Sequence, residues 1–294
     1  MYPYKIFLDL TIYDILICLG IIVAFAVFGF LADKRKIKVK LQKLVIVCGS
    51  AAIGVGLVSA SFFQALYNIP ERGGFEFLFK IGEDGNIELV NTGITFYGGI
   101  IGGVAAFLLV YFIAGRFIYK GTDNPRYHNE AFFSVASAAI PALTVAHSLG
   151  RLGCLFAGCC HGAPTDAWYG IVMHIGGAPQ KYVPTQLFEA IFLLILAAFL
   201  FLNAIEGKKY NLPLYMSLYG MWRFIIEFLR DDYRGSIGID AITPSQFIAI
   251  VMILGAVGVF FLERWYSRKL SERYPQEAFE ASESDIDENK EISN

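Results

Sequence analysis

Apolar residues in this chain are gathered into seven long runs, at approximately 12–32, 44–66, 94–115, 131–150, 184–204, 212–229 and 244–263, separated by short polar connections. Each run is near the length of about 20 residues that a hydrocarbon layer of roughly 30 Å demands of a helix. Backbone amides in lipid must find partners within their own segment, so the runs read as helices rather than open strands. The pattern therefore predicts an all-α, polytopic membrane protein with about seven transmembrane helices. The fourth run, rich in Ala and Ser, is the least apolar. No internal repeat or soluble domain is visible. Residues 1–274 read as a single seven-helix domain, and 275–294 as a disordered acidic cytoplasmic tail without apolar periodicity. The longest connection on one side, roughly 68–93, has the composition of a short hairpin around Asp84-Gly85-Asn86.

Composition sharpens this picture. Of the 294 residues, 56% are hydrophobic and only 17% charged, with a mean hydropathy of +0.53. A soluble domain carries roughly 25% charged residues, so an ordinary globular interior is excluded. Basic residues mark alternate connections. Lys34, Arg35, Lys36, Lys38, Lys40 and Lys43 follow the first run, and Arg116, Lys120 and Arg126 the third. Lys208 and Lys209 follow the fifth, and Arg264, Arg268, Lys269 and Arg273 the seventh. The intervening connections hold far fewer. The positive-inside rule then sets the amino terminus outside and the carboxyl terminus in the cytoplasm. Met1–Leu10 lack a basic n-region and a small-residue cleavage site, so the first run reads as a retained helix. Residues 277–294 hold seven acidic residues and one Lys, which leaves a formal charge of +4 on the rest of a chain whose net charge is −2. Nothing in this distribution asks for a nucleic-acid partner.

The candidate chemistry lies in polar residues that a membrane segment should avoid. In the sixth run Tyr219, Arg223, Glu227 and Arg230 recur at spacings of four, four and three, and so share one helix face. A charged side chain at the bilayer centre costs about 2.5–3.5 kcal/mol on insertion scales, so Arg223 and Glu227 need one another, another partner or a wet cavity. They form either a structural ion pair between helices or an anion site. A second constellation closes the fourth run, where His147 and Arg151 stand four apart and Gly150, Gly153, Gly158 and Gly162 permit tight turns and close backbone approach. A third patch, Tyr97-Gly98-Gly99 followed by Gly102-Gly103, serves either helix packing or a ligand. With the expected topology, all three patches fall in the outer half of the membrane. The inner halves are nearly all apolar, unlike a transporter with midplane sites and an inner gate. Arginines at outer-leaflet depth suit a phosphate, which the guanidinium fork binds bidentately, and the inferred ligand is a phospholipid headgroup.

Base candidates are His147 and His161, each equally readable as a satisfied interface residue; Tyr97 could orient a hydrogen bond. Cys18 and Cys48 sit in apolar runs and read as small buried hydrophobes. Cys154, Cys159 and Cys160 cluster on the outer side, where a disulfide between Cys154 and Cys159 or Cys160 can persist. A covalent thiol intermediate is an alternative use. The spacing of these cysteines with His161 matches no standard zinc pattern, and neither metal nor cofactor is expected.

Taken in order, Gly150-Arg151-Leu152-Gly153 with Gly158 and Gly162, the Phe96-Tyr97-Gly98-Gly99 patch, Pro184-Thr185-Gln186-Leu187-Phe188-Glu189 and Tyr219-Gly220-Met221-Trp222-Arg223-Phe224-Ile225-Ile226-Glu227-Phe228-Leu229-Arg230 resemble the bacterial prolipoprotein diacylglyceryl transferases. The resemblance runs from Tyr13 to the seventh helix. It implies a seven-helix enzyme of the bacterial plasma membrane with an outer amino terminus. Such an enzyme moves diacylglycerol from phosphatidylglycerol to the lipobox cysteine of a preprolipoprotein signal peptide, releasing glycerol phosphate. It also implies that Arg151 and Arg223 bind and polarise the phosphate, that Tyr219 and Glu227 belong to the same site, and that Tyr13 matches a family tyrosine. Two departures stand out. Tyr97-Gly98-Gly99 replaces the family's His-Gly-Gly, and Cys154-Leu155-Phe156-Ala157-Gly158-Cys159 replaces Asn-Phe-x-Asn-Gly-Glu. They leave two alternatives beside the lipoprotein transferase: a transferase with a phospholipid donor and a different acceptor, and a non-catalytic lipid-binding or transport protein.

Overall fold

A computed structural model describes residues 5–7, 10–67, 79–81, 87–89, 96–174, 179–230 and 242–273. The expected tail, 275–294, lies outside the described residues. The chain is an all-α polytopic membrane protein. Its helices are α1 (Ile12–Lys34), α2 (Val39–Tyr67), α3 (Phe96–Ile118), a one-turn α4 (Tyr127–Glu130), α5 (Phe132–Ala157), α6 (Thr185–Ile205), α7 (Asn211–Ile226) and α8 (Pro244–Arg273). Six of them, all but α4 and α7, are long and apolar enough to cross a membrane. The sixth apolar run becomes the 16 residues of α7 followed by a 3-10 turn, Glu227–Leu229. The Ala- and Ser-rich fourth run becomes the 26-residue α5 and accommodates Pro141 within it. Strands Phe79–Ile81 and Ile87–Leu89 pair antiparallel, as a hairpin requires, while Asp84-Gly85-Asn86 lie outside the described residues.

Contacts divide the chain into two compact units, one of residues 1–36 with 133–294 and one of 37–132. The smaller unit is built on α2 against α3, whose small residues let the backbones approach. A Cβ on Gly99 would stand 3.4 Å from the Ala60 Cβ, one on Gly56 3.1 Å from the Gly99 carbonyl, and one on Gly98 2.6 Å from the Phe63 Cβ. The Ser59 hydroxyl donates to the Gly98 carbonyl at 2.9 Å. Close packing thus accounts for the third sequence patch.

The larger unit carries α1 and α5–α8. Helix α1 starts where it does because Thr11 and Asp14 form a capping box: the Thr11 hydroxyl accepts from the Asp14 amide and the Asp14 carboxylate from the Thr11 amide. The apolar core between α5, α6 and α7 gathers Ile140, Leu193, Leu196, Leu200 and Tyr219. Near the α6–α7 turn, buried Asn211 donates to the Ser137 and Leu200 carbonyls, fixing α5 and α6 to the start of α7. At the other end a second hairpin, Ile171–Met173 with Gln180–Tyr182, follows α5 and returns the chain to α6. That loop was not anticipated, and it is this end that carries the polar residues.

Candidate active site

Three helices of the larger unit supply one buried polar cluster. The Arg151 Nε of α5 lies 3.1 Å from the Glu189 carboxylate of α6, and Glu189 is 1% exposed. The Tyr219 hydroxyl of α7 donates to the same carboxylate at 2.7 Å, and its oxygen stands 3.5 Å from both an Arg151 Nη and the His147 Nε2. The other ring nitrogen of His147 lies 3.1 Å from the Tyr215 hydroxyl. Hydrogen inventory then sets the tautomer. Tyr219 has spent its only proton on Glu189, so it can only accept from His147; Nε2 carries the proton and Nδ1 accepts from Tyr215. Helix periodicity accounts for the convergence: His147 and Arg151 are one turn apart on α5, Tyr215 and Tyr219 one turn apart on α7.

One further turn along α7, Arg223 forms an ion pair at 2.8 Å with Glu227, and the same Nη2 donates to the Ser245 hydroxyl of α8 at 2.9 Å. Glu227 in turn accepts from the Thr243 hydroxyl at 2.9 Å. Arg223 is only 8% exposed, yet its Nη1 has no hydrogen-bond partner among the described residues. Arg223 is also within electrostatic reach of His147 and Glu189. Burying a guanidinium with Nη1 unmatched is costly unless an acceptor is supplied from elsewhere.

The turn after α5 forms the third part. Gly158 and Cys160 adopt positive φ angles of 69° and 62°. The Cys160 carbonyl accepts from Thr185 at 2.9 Å and from Arg230 at 2.6 Å, while Gln186 donates to the Cys159 carbonyl. Next in the chain, His161 Nδ1 lies 2.8 Å from the Gly162 carbonyl. A carbonyl only accepts, so Nδ1 carries the proton and the Nε2 of neutral His161 is left as a proton acceptor. Gly162 is required sterically: a Cβ there would stand 2.5 Å from the Leu229 carbonyl.

The structure thus brings Arg151, Arg223, His147, Tyr219, Glu227, Arg230, His161 and Gly162 into one unit. Tyr13 of α1 packs over Gly153, where a Cβ would come within 3.0 Å of its ring, and Gly150 faces Ile17. Tyr97, Gly98 and Gly99 belong to α3 of the other unit. Cys154, Cys159 and Cys160, candidates for a disulfide, are unbridged in this structure. Sequence reasoning passed over Glu189, Tyr215 and Ser245 as site residues. Glu189 had a signal, being the only acidic residue within the apolar α6.

Buried arginines, carboxylates and tyrosines at one end of its helices mark a polytopic membrane protein with a charged, buried polar cluster. The family model for prolipoprotein diacylglyceryl transferase matches residues 3–262, and the chain belongs to that family. It is 34% identical over 183 residues to phosphatidylglycerol–prolipoprotein diacylglyceryl transferase 2 of Clostridium perfringens, a match covering 60% of this chain and 65% of that relative. It is 32% identical to the like-named protein of Clostridium tetani, across 60% of this chain and 66% of the relative. Those two matches therefore cover just under two thirds of the relatives' length. A match to the Finegoldia magna protein of the same name is longer, at 29% identity over 85% of this chain and 90% of the relative.

Proposed function

We propose that this protein transfers the diacylglyceryl group of phosphatidylglycerol to the lipobox cysteine of a prolipoprotein signal peptide at the outer leaflet of the bacterial plasma membrane. The observation that carries the reading is the buried Arg223, with Nη2 engaged by Glu227 and Ser245 and Nη1 open among the described residues. The names of the relatives and the positive-inside pattern support the donor and the side of the membrane.

In this mechanism the acceptor sulfur attacks the glycerol carbon that carries the phosphate. A C–S bond forms, the C–O bond breaks, and the electron pair leaves on glycerol phosphate. The phosphate gains a negative charge during this step, so fixed guanidiniums stabilise the transition state more than the ground state. Arg223 binds the phosphate through Nη1, and Arg151 adds positive charge from α5. Glu189 and Tyr219 hold Arg151, and His147 positions Tyr219. His161, with Nε2 unprotonated, takes the thiol proton. Tyr13, Gly150 and Gly153 shape the wall beside Arg151. Gly162 lets the His161 turn close.

A second reading, a transferase with the same donor but a different acceptor, is favoured by the Gly158-Cys159-Cys160 turn, which stands where the family has Asn-Gly-Glu. One assay separates them. Purified protein is mixed with acyl-labelled phosphatidylglycerol and a lipobox peptide, with Arg223→Ala as control. Label on the peptide only with the unaltered chain supports the first reading. Lipid binding without peptide labelling overturns it in favour of the second.

A further inference from the structure

The sulfurs of Cys154, Cys159 and Cys160 lie within 4.8 Å of one another, the only such cluster of metal-ligating side chains among the described residues. A Cys-x4-Cys-Cys spacing does not bring three sulfurs together unless the chain reverses between them. It does so here because α5 ends at Ala157, Gly158 takes a positive φ, and the Cys159 amide turns back to the Cys154 carbonyl at 3.1 Å. Cys160 then takes a positive φ of its own, a conformation that costs a non-glycine residue on the order of 1 kcal/mol. Side chains from two other segments hold it there. Fully buried Thr185 and nearly buried Gln186 tie down the carbonyls of Cys160 and Cys159, and Arg230 adds a second bond to the Cys160 carbonyl.

Two uses of such a turn differ in geometry. A disulfide needs a pair of sulfurs about 2.05 Å apart and leaves the third unused. An ion with metal–sulfur bonds of about 2.3 Å sets three thiolates roughly 3.8–4 Å from one another, and it uses all of them. Three sulfurs within 4.8 Å of one another are close to the second arrangement and engage all three side chains. Three thiolates also concentrate negative charge, and Arg151 and Arg230 are within electrostatic reach of Cys160 to offset it. Cys159 is exposed and the other two half-buried, which opens the cluster to solvent.

We propose that Cys154, Cys159 and Cys160 form a three-thiolate site for one soft d10 metal ion, of the kind represented by Cu(I), Zn2+ or Cd2+. The ligand softness selects this class over Mg2+, Ca2+ or Mn2+. Thr185, Gln186 and Arg230 are its positioning residues, since they fix the backbone from which two of the sulfurs project. The site departs from the absence of metal expected from spacing alone.

The test uses the full chain in detergent, reduced and then freed of reductant without air, and titrated with Cd2+ under ultraviolet absorption. One Cd2+ per chain is expected, with thiolate charge-transfer absorption. Peptide mass spectrometry is expected to show Cys154, Cys159 and Cys160 protected from alkylation while Cys18 still reacts. Cys154→Ser, Cys159→Ser and Cys160→Ser should each weaken binding beyond the 10–100-fold or so that loss of an outer-shell partner causes, and Thr185→Val should fall within about that 10–100-fold range. The alkylation pattern of the unaltered chain reads the site even if a variant fails to fold. Absence of stoichiometric Cd2+ binding would overturn the proposal. So would unchanged binding by Cys159→Ser, or a disulfide among the three in membranes whose thiols are blocked at lysis.

Discussion

Arg151 and Glu189 meet at 3.1 Å across α5 and α6, with Glu189 almost wholly withdrawn from solvent. The relationship orders the rest of the buried network. Glu189 accepts the Tyr219 proton, Tyr219 thereby becomes an acceptor for Arg151 and His147, and His147 must in turn accept from Tyr215. One carboxylate sets the proton positions of Tyr219, His147 and Tyr215 on two other helices.

Glu189→Gln tests that ordering. The amide is nearly the same shape but removes the Glu189 counter-charge from Arg151 in a buried setting, where breaking an ion pair costs about 3–5 kcal/mol. A large drop in the thermal midpoint of the detergent-solubilised protein is expected, together with loss of transfer. Tyr219→Phe deletes only the hydroxyl, and a hydrogen bond to a charged group contributes about 1.5–3 kcal/mol, so its destabilisation should be the smaller of the two. Equal stability of Glu189→Gln and the unaltered chain would show that the contact carries little energy.

Arg223 separates charge from geometry. Arg223→Ala removes a preorganised donor, and loss of such a group costs about 100- to 1000-fold in turnover. Arg223→Lys keeps the charge but supplies one ammonium in place of a planar fork. It can still reach Glu227 or Ser245, but not both of them and a phosphate, so transfer is expected to stay strongly impaired. The check is initial transfer rate per properly inserted molecule, with insertion measured separately. Normal rates in both variants would remove Arg223 from the reaction.

Much of this arrangement was legible in the sequence, and the reasons differ by element. Helix α6 spans 185–205 against an expected 184–204, because a run with one acidic residue in lipid has no alternative to helix. The shared face of Tyr219, Arg223 and Glu227 followed from their spacing alone. The partners did not. Ser245 and Thr243 sit 22 and 16 residues from the groups they meet, and Thr185 lies 25 residues from the Cys160 carbonyl. Such contacts depend on which helices become neighbours, and periodicity within one helix is silent on that. The division into two units was equally invisible, since the apolar runs on either side are continuous in character.

Gly162 gives a steric prediction. Its amide donates to the Val183 carbonyl at 2.8 Å, and a methyl group added there would stand 2.5 Å from the Leu229 carbonyl and 2.9 Å from both Thr185 and Val183. None of these is the end of a long flexible side chain. Overpacking of this kind costs about 1–3 kcal/mol, so Gly162→Ala should lower the thermal midpoint and displace the turn that carries His161. Gly121→Ala is a contrasting control, since its Cβ would meet nothing within 4 Å although its φ is positive. It should carry only the backbone strain. A midpoint unchanged in Gly162→Ala would mean that the Leu229 segment yields easily.

The two histidines should respond differently to substitution because their protons are committed differently. His147 has both ring nitrogens facing tyrosine hydroxyls, so it has no acceptor to spare for a substrate proton. Among the described residues His161 engages only Nδ1, on the Gly162 carbonyl, and keeps Nε2. If His161 is the base, His161→Ala should slow transfer by the 100- to 10,000-fold or so that general-base catalysis contributes, with lipid binding intact. Added imidazole should restore part of the rate. His147→Gln can still bridge the two tyrosines and should lose stability rather than the proton-transfer step, so imidazole should not rescue it. The measurement is the turnover of each variant with and without imidazole at saturating phosphatidylglycerol. Rescue of His147→Gln but not of His161→Ala would reverse the assignment and place the base within the Glu189 network.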